Sequence, residues 1–278
     1  MRRAVAAAAL AACAVIRAAV PAAAQMESFS DEEIQAARQD PDKYTIDEGS
    51  LAIENLGPTV NPRGGGPLLP PPPTPPAPGG GLRPVLGDIS EIIRVGREIW
   101  SIVEANRPQV DVSNEYWSAV PRGLESWTDL EGWDAPKGTT YRLTAKNLYG
   151  MTMVDVTFSV LRRTGGSYRD ASDRVRGEFL TGVTVEPLSV TVGPGYRLDL
   201  TAHMDPQSIG NVGTRENPIA SMTPRVSWRI RTVIKDSQGR SLYYLTGDGQ
   251  FRELAGPFRR DSLGPVAQSL DKELEFDR

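Results

Sequence analysis

The 278-residue chain has a single cysteine and a single histidine. One cysteine, Cys13, forms no intrachain disulfide, and one histidine with no second thiol excludes ordinary zinc cages. Nucleophilic catalysis lacks parts as well: no GxSxG elbow is present, and His203 is the only imidazole to serve as a base. No apolar run beyond the N-terminus approaches the roughly 20 residues of a membrane-spanning helix. There is no Lys/Arg stripe, which argues against nucleic acid and anionic lipid as partners. Several stretches are glycine-rich, but none follows a buried strand and opens a helix, as a phosphate loop requires.

What is there begins at the N-terminus. Met1-Arg2-Arg3 precedes an Ala/Val-rich run that ends in Pro21-Ala22-Ala23-Ala24-Gln25. A basic start, a short apolar stretch and small residues at a cleavage position resemble a bacterial export signal spanning residues 1–24. Leu10-Ala11-Ala12-Cys13 also has the spacing of a lipoprotein processing box, which makes lipid anchoring through Cys13 the alternative. Both schemes place the protein outside the cytoplasm, periplasmic or secreted. Removing residues 1–24 lowers Lys+Arg from 31 to 28 against 35 Asp+Glu, a net charge of −7.

Composition then divides the rest. Residues 25–57 are acidic and weakly patterned, and read as a flexible arm, with a short helix after the capping box Ser30-Asp31-Glu32-Glu33. Residues 58–84 hold 11 of the 23 prolines, with two Gly triplets bracketing the stiff part. They read as a Pro-rich linker that reaches up to roughly 80 Å as polyproline II. From Asp88 to Glu104 apolar residues recur at three- and four-residue intervals (Ile89, Ile92, Ile93, Ile99, Trp100, Val103), which predicts an amphipathic helix.

Beyond residue 108 the period becomes two. Tyr141-Leu143-Ala145, Val154-Val156-Phe158-Val160, Tyr196-Leu198-Leu200-Ala202-Met204 and Val226-Trp228-Ile230 each alternate with polar residues, as strands with one buried face do. Hairpin turns are expected at Asn147–Gly150, Gly165-Gly166 and Asp236–Gly239. The alternation changes phase at Glu186-Pro187, which indicates a bend, or a strand passing from one sheet to the other. The expected fold is mainly β: an antiparallel β-sandwich with one packed N-terminal amphipathic helix, spanning residues 85–256 and preceded by the disordered linker. Residues 257–278 read as a polar tail, in which Leu263, Val266, Leu270 and Leu274 mark a short helix.

Four aromatic residues, Tyr116, Trp117, Trp127 and Trp133, fall within a turn-rich stretch and are the candidate ligand-binding residues. Flat indoles in loops stack on sugar rings or lie at a membrane interface, although large aromatics more often plug the end of a sandwich. Asp129, Glu131 and Asp134 among them favour a polar ligand. His203 with Asp199 and Asp205 forms a weak acid–base constellation, more simply a solvent-facing strand histidine. Asp205, Asn211, Glu216 and Asp248 lack the regular spacing of a calcium loop. Arg142, Lys146, Arg197, Arg229 and Arg231 are set to pair across strands with Asp155, Asp199 and Glu186. Together these features lead us to expect a non-catalytic envelope module without cofactor or metal, recognising protein or glycan. The alternative is a secreted, membrane-active β-protein that oligomerises on lipid.

Overall fold

The computed structural model describes residues 29–59, 92–109, 116–122, 124 and 129–263; for Arg94 and residues 255–263 it describes the backbone alone. The export signal with Cys13, most of the Pro-rich linker, Trp127 and the segment 264–278 lie outside the described residues.

Two antiparallel sheets pack face to face. The first carries β1 (Ile46–Pro58), β6 (Lys137–Asn147), β7 (Thr152–Arg169), β8 (Val175–Val192), β5 (Trp117–Pro121) and β2 (Ile92–Gly96), in that order. The second runs β10 (Gly210–Asn211), β11 (Ala220–Met222), β13 (Lys235–Thr246), β12 (Arg225–Thr232), β9 (Tyr196–His203), β3 (Ile99–Glu104) and β4 (Arg107–Pro108), with β14 (Phe251–Leu263) paired to β13. The alternating residues of β6, β7, β9 and β12 fill the space between the sheets: Tyr141, Leu143, Val156, Phe158, Leu198, Leu200 and Ile230 are wholly buried. The expected mainly β, sandwich-like fold is what the chain adopts.

Its edges differ from expectation in three places. Of the expected helix 88–104, the described part, residues 92–104, is not helical. Ile92–Gly96 joins the first sheet and Ile99–Glu104 the second, so the chain crosses between sheets at Gly96-Arg97-Glu98. Gly96 has φ +118° and lies so close to the Tyr116 carbonyl that any Cβ would collide with it. That break is incompatible with a helix, and the β-branched residues on either side suit strands.

From residue 29 onward the acidic arm is part of the fold. Ser30 caps α1 (Asp31–Gln39) with the expected capping box. β1 then pairs with β6 as an edge strand whose register slips between Asp47 and Ala52. Ala37, Tyr44 and Val233 form a second small core, with Phe29, Ile34 and Ile234 packed on it. At the other end, residues 257–263 continue β14 rather than begin a tail.

Two expected turns also moved. Gly165 and Gly166 lie inside β7, and Asp236–Gly239 inside β13. The β12–β13 turn is at Val233-Ile234, where Thr232 Oγ1 accepts from the Ile234 and Lys235 amides. The phase change near Pro187 is a β-bulge: Thr157 pairs with Ser189 and Phe158 with Pro187, leaving Leu188 unpaired and exposed.

Candidate functional site: a donor cluster between the sheets

The aromatic candidates separate once placed. Trp117 is fully buried on β5; its indole N–H donates to the Arg97 carbonyl at 2.6 Å, and its ring lies 4.1 Å from that of Trp100. It is a core residue, which corrects its reading as a ligand platform. Tyr116 is half-buried just before the same strand, and burial raises its phenol pKa. Trp133 is also half-buried, and its ring covers Gly166 so closely that no Cβ would fit there. Trp127, the fourth candidate, lies outside the described residues.

The other weak constellations are accounted for as well. Asp199 is held by Arg231 at 3.0 Å and by the Ala105 amide, while His203 faces Glu98 at 3.7 Å. No Asp–His pair forms there. Asp205 caps a 3-10 turn by accepting from the Gln207 amide, and Asn211 orders its own loop through the Gly213 and Ile219 amides. Among the described residues no group of three or more His, Cys, Asp or Glu side chains is placed to hold a metal. Of the expected surface pairs, Arg142 binds Asp155 in a two-pronged contact at 2.6 and 2.8 Å.

A different cluster stands out on polarity. The inward phase of β7 runs Val156, Phe158, Val160 and then Arg162, which puts a guanidinium in the inter-sheet space with 8% of its surface exposed. Arg162 donates to Thr139 Oγ1 at 3.1 Å and lies 4.1 Å over the Phe251 ring. Among the described residues no carboxylate reaches it, and its Nε has no acceptor. Burial without a counter-charge shifts its pKa downward, though a guanidinium stays protonated. An arginine left this way costs about 3–5 kcal/mol relative to one with its partner present.

Three hydroxyls share this condition. Tyr141 on β6 and Tyr243 on β13 face each other across the sandwich with ring centroids 4.9 Å apart, both fully buried. Neither phenol has a hydrogen-bond partner, and the Ser241 hydroxyl approaches Tyr243 without reaching hydrogen-bond geometry. Burial is the main reason that both phenols titrate above the ordinary value. Buried polar groups are nearly always satisfied, so several unsatisfied ones around a single charge require an explanation.

On the β14 side the cluster is bordered by Phe251 and Glu253. Glu253 pairs with Tyr243 in register, and burial raises its pKa. Beyond Arg162 on the same face of β7, Thr164 donates to Asp134 at 2.8 Å, and Lys137 reaches Asp134 at 3.2 Å. Those bonds hold the Asp134 carboxylate below its ordinary pKa, led by the Thr164 hydroxyl. Asp248 is likewise lowered, chiefly by its bond from Thr246. Glu178 moves the other way, raised by burial and then by Asp248 and Asp134 nearby. Asp134, Glu178 and Asp248 thus lie within electrostatic reach of one another.

With this geometry in view, comparison with known proteins returns nothing: the chain matches no family model, no curated protein and no solved structure.

Proposed function

We propose that the chain is an exported, non-catalytic envelope module that binds a polar ligand, protein or glycan, at the Arg162 end of its sandwich. One observation carries this reading. Arg162, Tyr141, Tyr243 and Ser241 present hydroxyl and N–H groups between the sheets that no protein acceptor uses. Donors kept buried and unmatched lower stability in the free protein and are matched when a ligand supplies acceptors. The site offers hydroxyls and fixed charge without a nucleophile–base pair, which suits recognition rather than turnover.

The test has two arms. Intact mass of the protein from fractionated cells should show a chain starting at Gln25 in the soluble envelope fraction, or at a lipid-modified Cys13 in the membrane fraction; an uncleaved cytoplasmic chain removes the export reading. Thermal unfolding of the mature chain should then shift saturably with purified envelope glycan or peptide fractions. A flat response to both removes the binding reading.

The membrane-active alternative keeps one supporting observation. Leu148, Tyr149 and Met151 project from the β6–β7 turn, each about half exposed. Asn147 fixes that turn by accepting from the Tyr149 and Met151 amides. Asp40, which accepts from the Tyr149 hydroxyl at 2.7 Å, brings negative charge to the tip. Dye release from anionic and neutral liposomes would favour this reading; no release from either removes it. Among the described residues no helix is long and apolar enough to cross a membrane.

A further inference from the structure

We infer that the outer face of the first sheet is a docking site for the chain's own Pro-rich segment, residues 60–91. The inference is independent of any ligand at Arg162.

That face should be wet, and in its middle it is dry. On β7 the inward phase is Val154, Val156, Phe158 and Val160, so Ser159 and Leu161 point away from the second sheet. Asp155 and Thr157, earlier in the same outward phase, are half-buried, but Ser159 and Leu161 expose only 0% and 4% of their surface. Among the described residues Leu161 is the one buried apolar side chain that belongs to neither apolar core. Thr184 faces Leu161 across the β7–β8 pair and is buried as well. Glu186, opposite Ser159, is half-buried, and burial raises its carboxyl pKa. A side chain loses its solvent contact only beneath other atoms, so this band has a cover.

The described strands do not supply it. Those that pack across the core onto the first sheet belong to the second, and lie on the inner face. Residues 131–134 touch β7 further along, at Thr164 and Ser167. What does reach the band is Thr59, just past β1. Its hydroxyl meets those of Thr140 and Ser159 at 3.0 and 2.5 Å, and its side chain lies over Gly138 beside that of Leu161. The chain thus leaves β1 already turned onto the outer face. Thr184 and Glu186 lie one strand beyond Thr59's contacts, on β8.

The two ends of the segment identify the occupant. Residues 60–91 start from Thr59 at the β1 edge and return at Ile92 in β2, the opposite edge of the same sheet. Five strand spacings, roughly 24 Å, separate those edges, and a polyproline chain of this length reaches about 100 Å. The arm and the sandwich are therefore not two bodies held apart by a spacer; the dry band lies between the segment's own ends. Its composition suits the band. Leu68, Leu69, Leu82 and Leu86 are apolar partners for Leu161, and Arg63 and Arg83 are counter-charges for Glu186. Proline brings no backbone N–H to leave unmatched against an apolar surface.

The test uses the full chain with Cys13→Ser, so that one introduced thiol reports alone. Leu161→Cys should react with a maleimide at least about tenfold more slowly than Leu188→Cys, whose site on β8 is half exposed. Changing Leu68, Leu69, Leu82 and Leu86 together to Ser should raise the Leu161→Cys rate by about tenfold or more. The Leu188→Cys rate and the strand circular-dichroism signal should not change. If that variant does not fold, photoreactive leucine incorporated throughout the otherwise unchanged chain serves instead. Irradiation should then cross-link the peptide holding Leu161 to one from residues 60–91 within a monomer. Leu161→Cys reacting as fast as Leu188→Cys would mean that the face is open. Protection that survives the four leucine changes, or a cross-link to another segment, assigns the cover elsewhere in the chain. Protection that appears only as protein concentration rises, with a cross-linked dimer, assigns it to a second copy. Each of these outcomes overturns the inference.

Discussion

Two arginines in this molecule lie over phenylalanine rings, and their surroundings differ in one respect. Arg197 on β9 sits 5.2 Å over Phe29 and is gripped by both oxygens of Glu33 at 2.8 and 3.0 Å. Arg162 on β7 sits 4.1 Å over Phe251 and, among the described residues, has no acid within reach. Around Arg197 two neighbouring polar groups are also used: the Tyr196 phenol donates to the Lys43 carbonyl at 3.0 Å, and the Asn147 amide donates to the same carbonyl. Around Arg162 the phenols of Tyr141 and Tyr243 point at nothing. Helix α1 closes the first end with its own carboxylate. The second end is built from the same residue types with the acceptor left out. Under the proposed binding function, the counter-charge present at one end and omitted at the other is supplied by an acceptor from outside.

The largest test converts the closed end into a copy of the open one. Glu33→Ala removes the acid from Arg197 together with half of the α1 capping box, and should cost about 2–3 kcal/mol of unfolding free energy in urea melts. Arg162→Met is the reciprocal change. Replacing a buried charge that has no partner with an apolar chain of similar length should raise stability by about 1–2 kcal/mol. If both changes destabilise equally, the two arginines are structural in the same way and the contrast between them dissolves.

Where the sequence revealed this arrangement, it did so through strict alternation. Tyr141-Leu143-Ala145 and Tyr196 to Met204 show period two because β6 and β9 bury one face without interruption. β1 escaped that reading because its bulge spaces the buried Ile46 and Leu51 five residues apart. Ile92, Ile93, Ile99, Trp100 and Val103 fit a helical stripe as readily as two short strands, and only the backbone at Gly96 separates the two. The turn at Val233-Ile234 looked like strand because its apolar side chains serve the α1 contact.

Arg162 carried a usable signal: it continues the inward phase of Val156, Phe158 and Val160, and a charge at a core position marks a special site. The unmatched phenols carried none. Tyr243 reads as an ordinary strand aromatic until the position of the opposing sheet is known. The Trp-rich stretch was the more conspicuous feature and the less informative one, since Trp117 proved to be core and Trp133 lies over a strand glycine.

Acid should separate the two ends by titration. Burial works against ionisation of Glu33, but the Ser30 amide and Arg197 more than offset it, so its pKa lies below the ordinary 4.5. A lowered folded pKa means that the pair contributes its full stability above the unfolded value and loses it as pH falls through the folded one. Stability of the wild-type chain should therefore decline below about pH 4.5. The decline should be shallower in Glu33→Gln, as chemical denaturation at stepped pH would show. Arg162→Met should retain the wild-type slope, because no carboxylate is paired with Arg162. A flattened slope in that variant would mean that an acid does serve Arg162.

The smallest effect is the most discriminating, because it removes one oxygen atom from each end. Tyr196→Phe deletes a phenol that donates to Lys43, and should cost about 1 kcal/mol as the Lys43 carbonyl loses a donor. Tyr243→Phe deletes a phenol with no acceptor, so burial of the bare ring should leave stability unchanged or raise it by about 0.5 kcal/mol. Both rings stay in place, which keeps packing constant between the two measurements. Equal losses would show that the Tyr243 hydroxyl already has a partner within the folded chain. A loss at Tyr196 alone would show that the Tyr243 hydroxyl has no partner in the folded chain.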